Sequence, residues 1–259
     1  MQLRPMPACS LLLFAIGLLP RFASGQNSGQ ERPGSVVIVE LFTSEGCSDC
    51  PPADALLRQI NLRQTRAGQL IVGISEHVTY WNSLGWKDPF SSPEFSDRQH
   101  VYASRMSPEG PYTPKMVVNG REQFVGGDVN ALQKALGDEA RRTHLELNIL
   151  SSALSSSGLD VKFSIVGETS RPLDIVAVLA DDADRSNVLR GENGGRLLQH
   201  VSVARSLVRV ATVKGATHQS IHVAFPDGFH LDSGSGHHLI LFAQEQHQGA
   251  IEGAATTAL

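Results

Sequence analysis

Cys47 and Cys50 stand in C-x-x-C spacing between a run of β-branched residues and the start of a helical pattern, and this placement constrains the chain more than any other feature. Residues 36–41 (VVIVEL), bounded by Gly34 and the turn-forming Thr43-Ser44-Glu45-Gly46, have the character of a short buried strand. After the cysteines, Ala53, Leu56, Leu57 and Ile60 recur at helical spacing, Pro51 and Pro52 suit a first helical turn, and Gly68 suits a stop. Residues 70–74 (LIVGI) read as a second buried strand. The order is β-α-β, with Cys47 at the carboxyl end of the first strand and beside the amino end of the helix.

Residues 77–112 form an insertion holding both tryptophans, Trp81 and Trp86, and all three tyrosines, Tyr80, Tyr102 and Tyr112. A helix is expected over 93–106. Residues 115–118 and 121–125, joined by Asn119-Gly120, predict an antiparallel hairpin, and Asp128 is placed to cap a helix carrying Val129, Leu132, Leu136 and Ala140 on one stripe. From Leu145 onward the rhythm changes to strand alternation, clearest in Leu159, Val161, Phe163 and Ile165, with further strands expected at 173–180, 201–213, 220–225 and 238–243. A length of 259 residues suits about two domains. The expected organisation is an α/β domain over 26–142, carrying the helical and aromatic insertion, followed by an all-β antiparallel sandwich-like domain over 143–259.

The first 25 residues have the form of a secretory signal: Arg4, the nine-residue apolar stretch 11–19 and the small residues Ala23-Ser24-Gly25. That stretch is far shorter than the ~20 residues a membrane-spanning helix needs. Removing residues 1–25 takes away Arg4 and Arg21 but no acid, so the remainder is more acidic than the formal −4 of the whole chain. With Lys+Arg at 22 against Asp+Glu at 26 there is no basic excess to neutralise phosphates, which disfavours a nucleic-acid or anionic-membrane partner, and no stable membrane insertion is expected once the signal is removed. Cys9 leaves with the signal. An exported protein, bacterial-type periplasmic or extracellular, would then hold a single local cysteine pair, and closing so short a loop constrains the unfolded chain only slightly. Chemistry explains such a pair better than stability does.

The thiolate is the nucleophile in disulfide exchange, and a helix amino terminus stabilises it. Cys47 is accordingly assigned as attacking thiol and Cys50, one turn inward, as resolving thiol. The order strand, C-x-x-C, helix, strand, helical insertion, Thr113-Pro114, hairpin and helix resembles the thioredoxin superfamily. That resemblance implies a cis Pro114 facing the cysteine pair, Thr113 and Pro114 contacting an extended substrate, and Glu40 as a buried acid taking a proton from the resolving cysteine. An ordinary strand-end carboxylate is the other reading of Glu40, and a turn proline the other reading of Pro114. ELFTSEGCSDCPPAD (40–54), HVTYWNSLGWKDPF (77–90) and RGENGGR (190–196) are similar to a secreted family of thioredoxin-like fold known as domain of unknown function 1223. Asp49 between the cysteines departs from the thioredoxin pattern and argues against a very strong oxidant.

Tyr80, Trp81 and Trp86 have two readings, a peptide-binding lid and core packing. Arg190 and Glu192, in the charged RGENGGR segment, are further candidates for substrate contact. His218, His222, His230, His237, His238 and His247 crowd the carboxyl half, but without a second cysteine pair they are expected to be scattered surface residues and to hold no metal. The function expected is thiol–disulfide exchange on protein or small thiol substrates without a bound cofactor. Its competitor is a binding protein, either a metal carrier using Cys47 and Cys50 or an assembly factor with an inert disulfide.

Overall fold

The computed structural model describes residues 1–2, 34–106, 109–231 and 236–259. The signal-like residues 11–19 and Ala23-Ser24-Gly25 lie outside the described residues. Elements in chain order are β1 (Gly34–Thr43), α1 (Pro51–Ile60), β2 (Gln69–His77), α2 (Pro93–Met106), β3 (Lys115–Val118), β4 (Glu122–Val125) and α3 (Val129–Glu139), then β5 (Glu146–Leu154), β6 (Gly158–Val166), β7 (Leu173–Asn187), β8 (Leu197–Val213), β9 (Thr217–Ala224), β10 (His237–Glu245) and β11 (Ile251–Ala258). The amino-terminal half follows its periodicities. β1 and β2 run parallel, β3 pairs antiparallel with β1 and β4, and Asp128 caps α3 by accepting from the Ala131 amide at 2.9 Å.

The expected division into a thioredoxin-like α/β domain and a separate all-β sandwich does not hold. Among the described residues one mixed sheet of eight strands, ordered β11-β10-β7-β8-β2-β1-β3-β4, runs through both halves, and a second sheet contains β5-β6-β9. The halves join where β8 lies parallel to β2, Val203 opposite Ser75, and where the Ser202 hydroxyl donates to the Gly73 carbonyl at 2.5 Å. Charge is what hides this from the sequence. β7 and β8 are 15 and 17 residues long, and the apolar alternation of β7 stops at Ala180 although the strand continues through Asp181, Asp182 and Asp184 to Asn187. Two of those acids are held in the sheet by imidazoles on the neighbouring strand: His237 Nδ1 lies 2.8 Å from Asp181 and His238 Nδ1 2.6 Å from Asp182. The expectation of surface histidines therefore fails for these two, which are buried.

Three of the apolar cores among the described residues fix the arrangement. Val37, Val39 and Leu41 of β1 pack with Ala53, Leu56 and Leu57 of α1 and Leu132 and Ala135 of α3 on one face of the sheet. Ile38 and Ile74 share a second core with Phe95 of α2, Val178 of β7, Ala204 of β8, Ile240 of β10 and Ile251 of β11. Each such fully buried Ile or Phe contributes about 1.5–3 kcal/mol, so separating the halves would expose a core that neither could cover alone. The third core lies between the two sheets, with Phe163 and Ile165 against Ile175, Leu179 and Leu241.

A covered disulfide with buried charge behind it

Cys47 and Cys50 are joined in a disulfide, their Cα atoms 5.4 Å apart. The chain turns here because the Cys47 amide bonds the Ser44 carbonyl at 3.1 Å and the Cys50 amide bonds the Cys47 carbonyl at 3.3 Å. Cys50 is the N-cap of α1, with Pro51 and Pro52 in the first turn. Those prolines supply no N–H, and the Ala53 and Asp54 amides are engaged by the Cys50 carbonyl at 2.9 and 3.1 Å. Little helix-terminal donor capacity is therefore left for a thiolate. Neither sulfur residue is open to solvent: Cys47 is 1% exposed and Cys50 0%, whereas Ser48 and Asp49 between them are exposed.

The cover is the RGENGGR segment at the tip of the β7–β8 hairpin. Asn193, itself fully buried, donates from Nδ2 to the carbonyls of Glu45 at 2.9 Å and Cys47 at 2.8 Å. Glu192 Oε2 accepts from the Ser48 amide at 3.0 Å, and its bonds to the Ser48 hydroxyl and amide hold its carboxyl below the usual range. Gly191 makes the approach possible. Its φ of 76° lies in the left-handed region, and a Cβ there would stand 3.2 Å from the Trp86 Cβ. Arg190 is exposed at the start of the segment.

The aromatic insertion closes the other side. Trp81 Nε1 donates to Thr113 Oγ1 at 2.8 Å and Trp86 Nε1 donates to Glu45 Oε2 at 2.7 Å, so both tryptophans brace the site from partly buried positions. Tyr80 is the exposed member at 38%, its hydroxyl donating to Gln99 Oε1. The Thr113–Pro114 peptide is cis. Pro114 and Ala53 of α1 crowd the same spot, their Cβ atoms 3.0 and 2.9 Å from where a Cβ on Gly126 would stand, and the Pro114 carbonyl accepts from the Gly126 amide. Thr113, Pro114, Trp81, Trp86 and Glu192 thus gather around the C-x-x-C turn.

Glu40 does not join them. Its neighbours Val39 and Leu41 face α1, so alternation turns Glu40 to the opposite face. There it accepts from Arg98 Nε at 2.5 Å and from the Tyr102 hydroxyl at 2.7 Å. Glu76 lies beside it, and burial together with the Glu40 charge pushes the Glu76 carboxyl well up.

Behind the disulfide lies a set of charges that the sequence reading did not assemble. Glu45, fully buried, accepts from Trp86 and from the Ser186 hydroxyl, and its other oxygen lies 3.3 Å from His200 Nε2. His200 Nδ1 lies 3.6 Å from Asp54 Oδ1. His77 packs edge-on to His200, ring centroids 4.6 Å apart, and its Nδ1 lies 2.7 Å from Asp88 Oδ2, which also accepts from the Glu45 amide. Burial would push the Asp88 carboxyl up, but His77 and the Glu45 and Phe90 amides hold it below its ordinary value. Burial would likewise lower His200, yet the carboxylates of Asp54 and Glu45 raise it to about 9. Glu45, Asp54, Asp88 and Asn193 all fall inside the three quoted motifs, so the signal for them was present. His200 lay in a segment read as preceding its strand. Among the described residues, no three His, Cys, Asp or Glu side chains are arranged to hold a metal ion, and no helix is long and apolar enough to cross a membrane.

The fold and site define a mixed-sheet protein with a C-x-x-C disulfide at a helix start, roofed by a hairpin tip and backed by buried ionisable groups. Residues 38–244 match the family described as protein of unknown function DUF1223, and the chain belongs to that family. It is similar to the crystal structure of a structural-genomics target from Agrobacterium tumefaciens, at 27% identity over 86% of this chain and 94% of that one, with a TM-score of 0.64. Two further structures match over parts of the chain. An alkylpurine DNA glycosylase of Pseudomonas fluorescens is 11% identical, covering 50% of this chain and 33% of that one at a TM-score of 0.24. A β-glucosidase of Streptomyces venezuelae is 16% identical, covering 45% and 15% at a TM-score of 0.23. Those scores carry no argument. No curated protein matches the chain.

Proposed function

We propose that this protein is a thiol–disulfide oxidoreductase whose Cys47–Cys50 pair exchanges electrons with protein or small-molecule thiols in an exported compartment. The observation that carries the reading is the disulfide itself, formed between the cysteines of a C-x-x-C turn and bordered by the cis Thr113–Pro114 peptide, two bracing tryptophans and buried acid–base groups. When the protein acts as oxidant, a substrate thiolate attacks Cys47 Sγ, the Cys47–Cys50 bond breaks, and Cys50 leaves as a thiolate that takes a proton. A second substrate thiolate then attacks the substrate sulfur of the mixed disulfide and frees Cys47. The substrate is oxidised by two electrons and the pair reduced by two. The signal-like amino terminus supports the compartment, and the acidic balance of the chain supports protein or small-thiol partners over nucleic acid.

The burial of both sulfurs favours a second reading, a disulfide that is inert and belongs to a binding protein. Equilibrium titration of the protein in thiol redox buffers separates the two. Exchange predicts a reduction potential in the span of known oxidoreductases, about −120 to −270 mV, and an inert pair lies below about −300 mV. Metal analysis of the reduced protein in the same experiment tests the carrier form of the competitor, which requires stoichiometric metal.

A further inference from the structure

Exchange at this pair moves a proton as well as electrons. In the reducing direction Cys47 thiolate attacks a substrate disulfide, one substrate thiolate leaves, and a mixed disulfide remains on Cys47. Cys50 must then lose its proton, attack Cys47 Sγ and break the bond to the substrate, which departs as the second thiolate. Cys50 is fully buried, so water is not at hand to take that proton. Glu40 cannot take it from the opposite face of the sheet, where Arg98 and Tyr102 engage it.

Resting on the exchange reading above, we propose that Asp54 accepts the Cys50 proton with the His200 imidazolium facing it as charge partner, so that this pair is the proton store of the resolving step. Asp54 lies one helical turn beyond Cys50 on α1, its amide donating to the Cys50 carbonyl. Cys50 has helical φ and ψ of −77° and −37°, and helical residues four apart share a face with side chains leaning toward the amino terminus, which directs the Asp54 side chain toward the turn holding Cys50. Asp54 is 4% exposed. Its Oδ1 and His200 Nδ1 make no hydrogen bond, and these two buried atoms face each other at 3.6 Å as an ion pair. A carboxylate that faces an imidazolium across such a gap keeps a lone pair open to an incoming proton while its charge stays compensated. On its far side His200 Nε2 meets Glu45 Oε1, which keeps a compensating charge in place whichever way the proton moves. A cavity of about 250 Å³ lined by Pro51, Asp54, Arg58 and Arg196 gives the pair an outlet to solvent. The groups facing His200 are Glu45 before α1, Asp54 on α1, His77 on β2 and Asp184 across the β7–β8 pair. Its raised proton affinity agrees with a group that is loaded at neutral pH when Cys50 needs a proton in the oxidising direction.

The test is stopped-flow reaction of the fully reduced protein with 5,5′-dithiobis(2-nitrobenzoate), which releases one thionitrobenzoate when Cys47 attacks and a second when Cys50 resolves. Asp54→Asn is expected to slow the second release about 100-fold at pH 7 and His200→Gln about tenfold, leaving the first release within about twofold. The second release should also lose its wild-type pH dependence and rise tenfold per pH unit, as for an unassisted thiol. An unchanged second phase and pH profile in both variants overturns this inference alone. Absence of either release from the wild type overturns the exchange reading and this inference with it. Should neither variant fold, the wild-type phases measured in D2O decide: a second phase slowed no more than the first contradicts the proton store.

Discussion

Asn193 donates its side-chain amide to the carbonyl oxygens of Cys47 and Glu45, at 2.8 and 2.9 Å, while its own oxygen accepts from Arg196 at 2.7 Å. One residue from a hairpin of the carboxyl half thereby fastens the backbone around the disulfide of the amino half. Asn193→Ala leaves two buried carbonyls without those donors, a loss of about 1–3 kcal/mol in stability. It should also speed reduction of the disulfide by dithiothreitol roughly tenfold, since an opening equilibrium shifts by that factor for each 1.4 kcal/mol. Mass-spectrometric timing of thiol alkylation checks it, and unchanged reduction kinetics would mean that the hairpin does not control access.

The stability of the fold should fall on the alkaline side through His200. Its folded-state value of about 9 stands above the ordinary 6.5, so its contribution is fully present below about pH 6.5 and is lost as pH rises through about 9. His200→Gln should therefore be less stable than wild type at pH 6, with the gap closing toward pH 9.5. Urea midpoints at several pH values measure this. Asp184, pushed up to about 6 by burial and Asp181, has the same sign: its carboxylate weakens the fold increasingly between about pH 4 and 6 and fully above that.

Ser202 joins the two halves at the β2–β8 seam. Its hydroxyl donates to Gly73 and lies 2.9 Å from His238 Nε2, and His238 is held in turn by Asp182. Ser202→Ala removes a buried donor from a seam with one registered residue pair, and should cost about 1–3 kcal/mol, read as a lowered denaturant midpoint with an unchanged slope. A fall in the slope would instead mean that the halves unfold separately.

The elements around the C-x-x-C are legible in the sequence because their patterns are unbroken: the β-branched run of β1, the stripe Ala53, Leu56 and Leu57 of α1, the Asn119-Gly120 turn and the Asp128 cap. The joining of the halves is not. Asp181, Asp182 and Asp184 break the apolar alternation of β7, and β11 offers only Gly, Ala and Thr after Ile251 and Glu252, so two sheet strands carry a loop-like composition. The site divides in the same way. The cysteines and tryptophans are conspicuous by type and spacing and the cis Pro114 comes with the resemblance to thioredoxins, whereas Glu40 lies away from the cysteines through strand alternation, which the sequence did reveal: Leu41 faces the helix, so Glu40 faces away. Nothing local marks His200, whose partners Glu45 and Asp54 lie some 150 residues earlier in the chain.

The most direct test of the central claim compares two variants expressed in cells, Cys50→Ser and Cys47→Ser, by non-reducing gels with mass spectrometry of any adducts. If Cys47 attacks and Cys50 resolves, Cys50→Ser forms mixed disulfides that it cannot release, and they accumulate with identifiable partners. Cys47→Ser should trap far less, because Cys50 is fully buried as the N-cap of α1, while Cys47 precedes the helix and is followed by the exposed Ser48. Equal trapping by both variants would contradict the assigned roles, and trapping by neither would mean that the covered disulfide is inert.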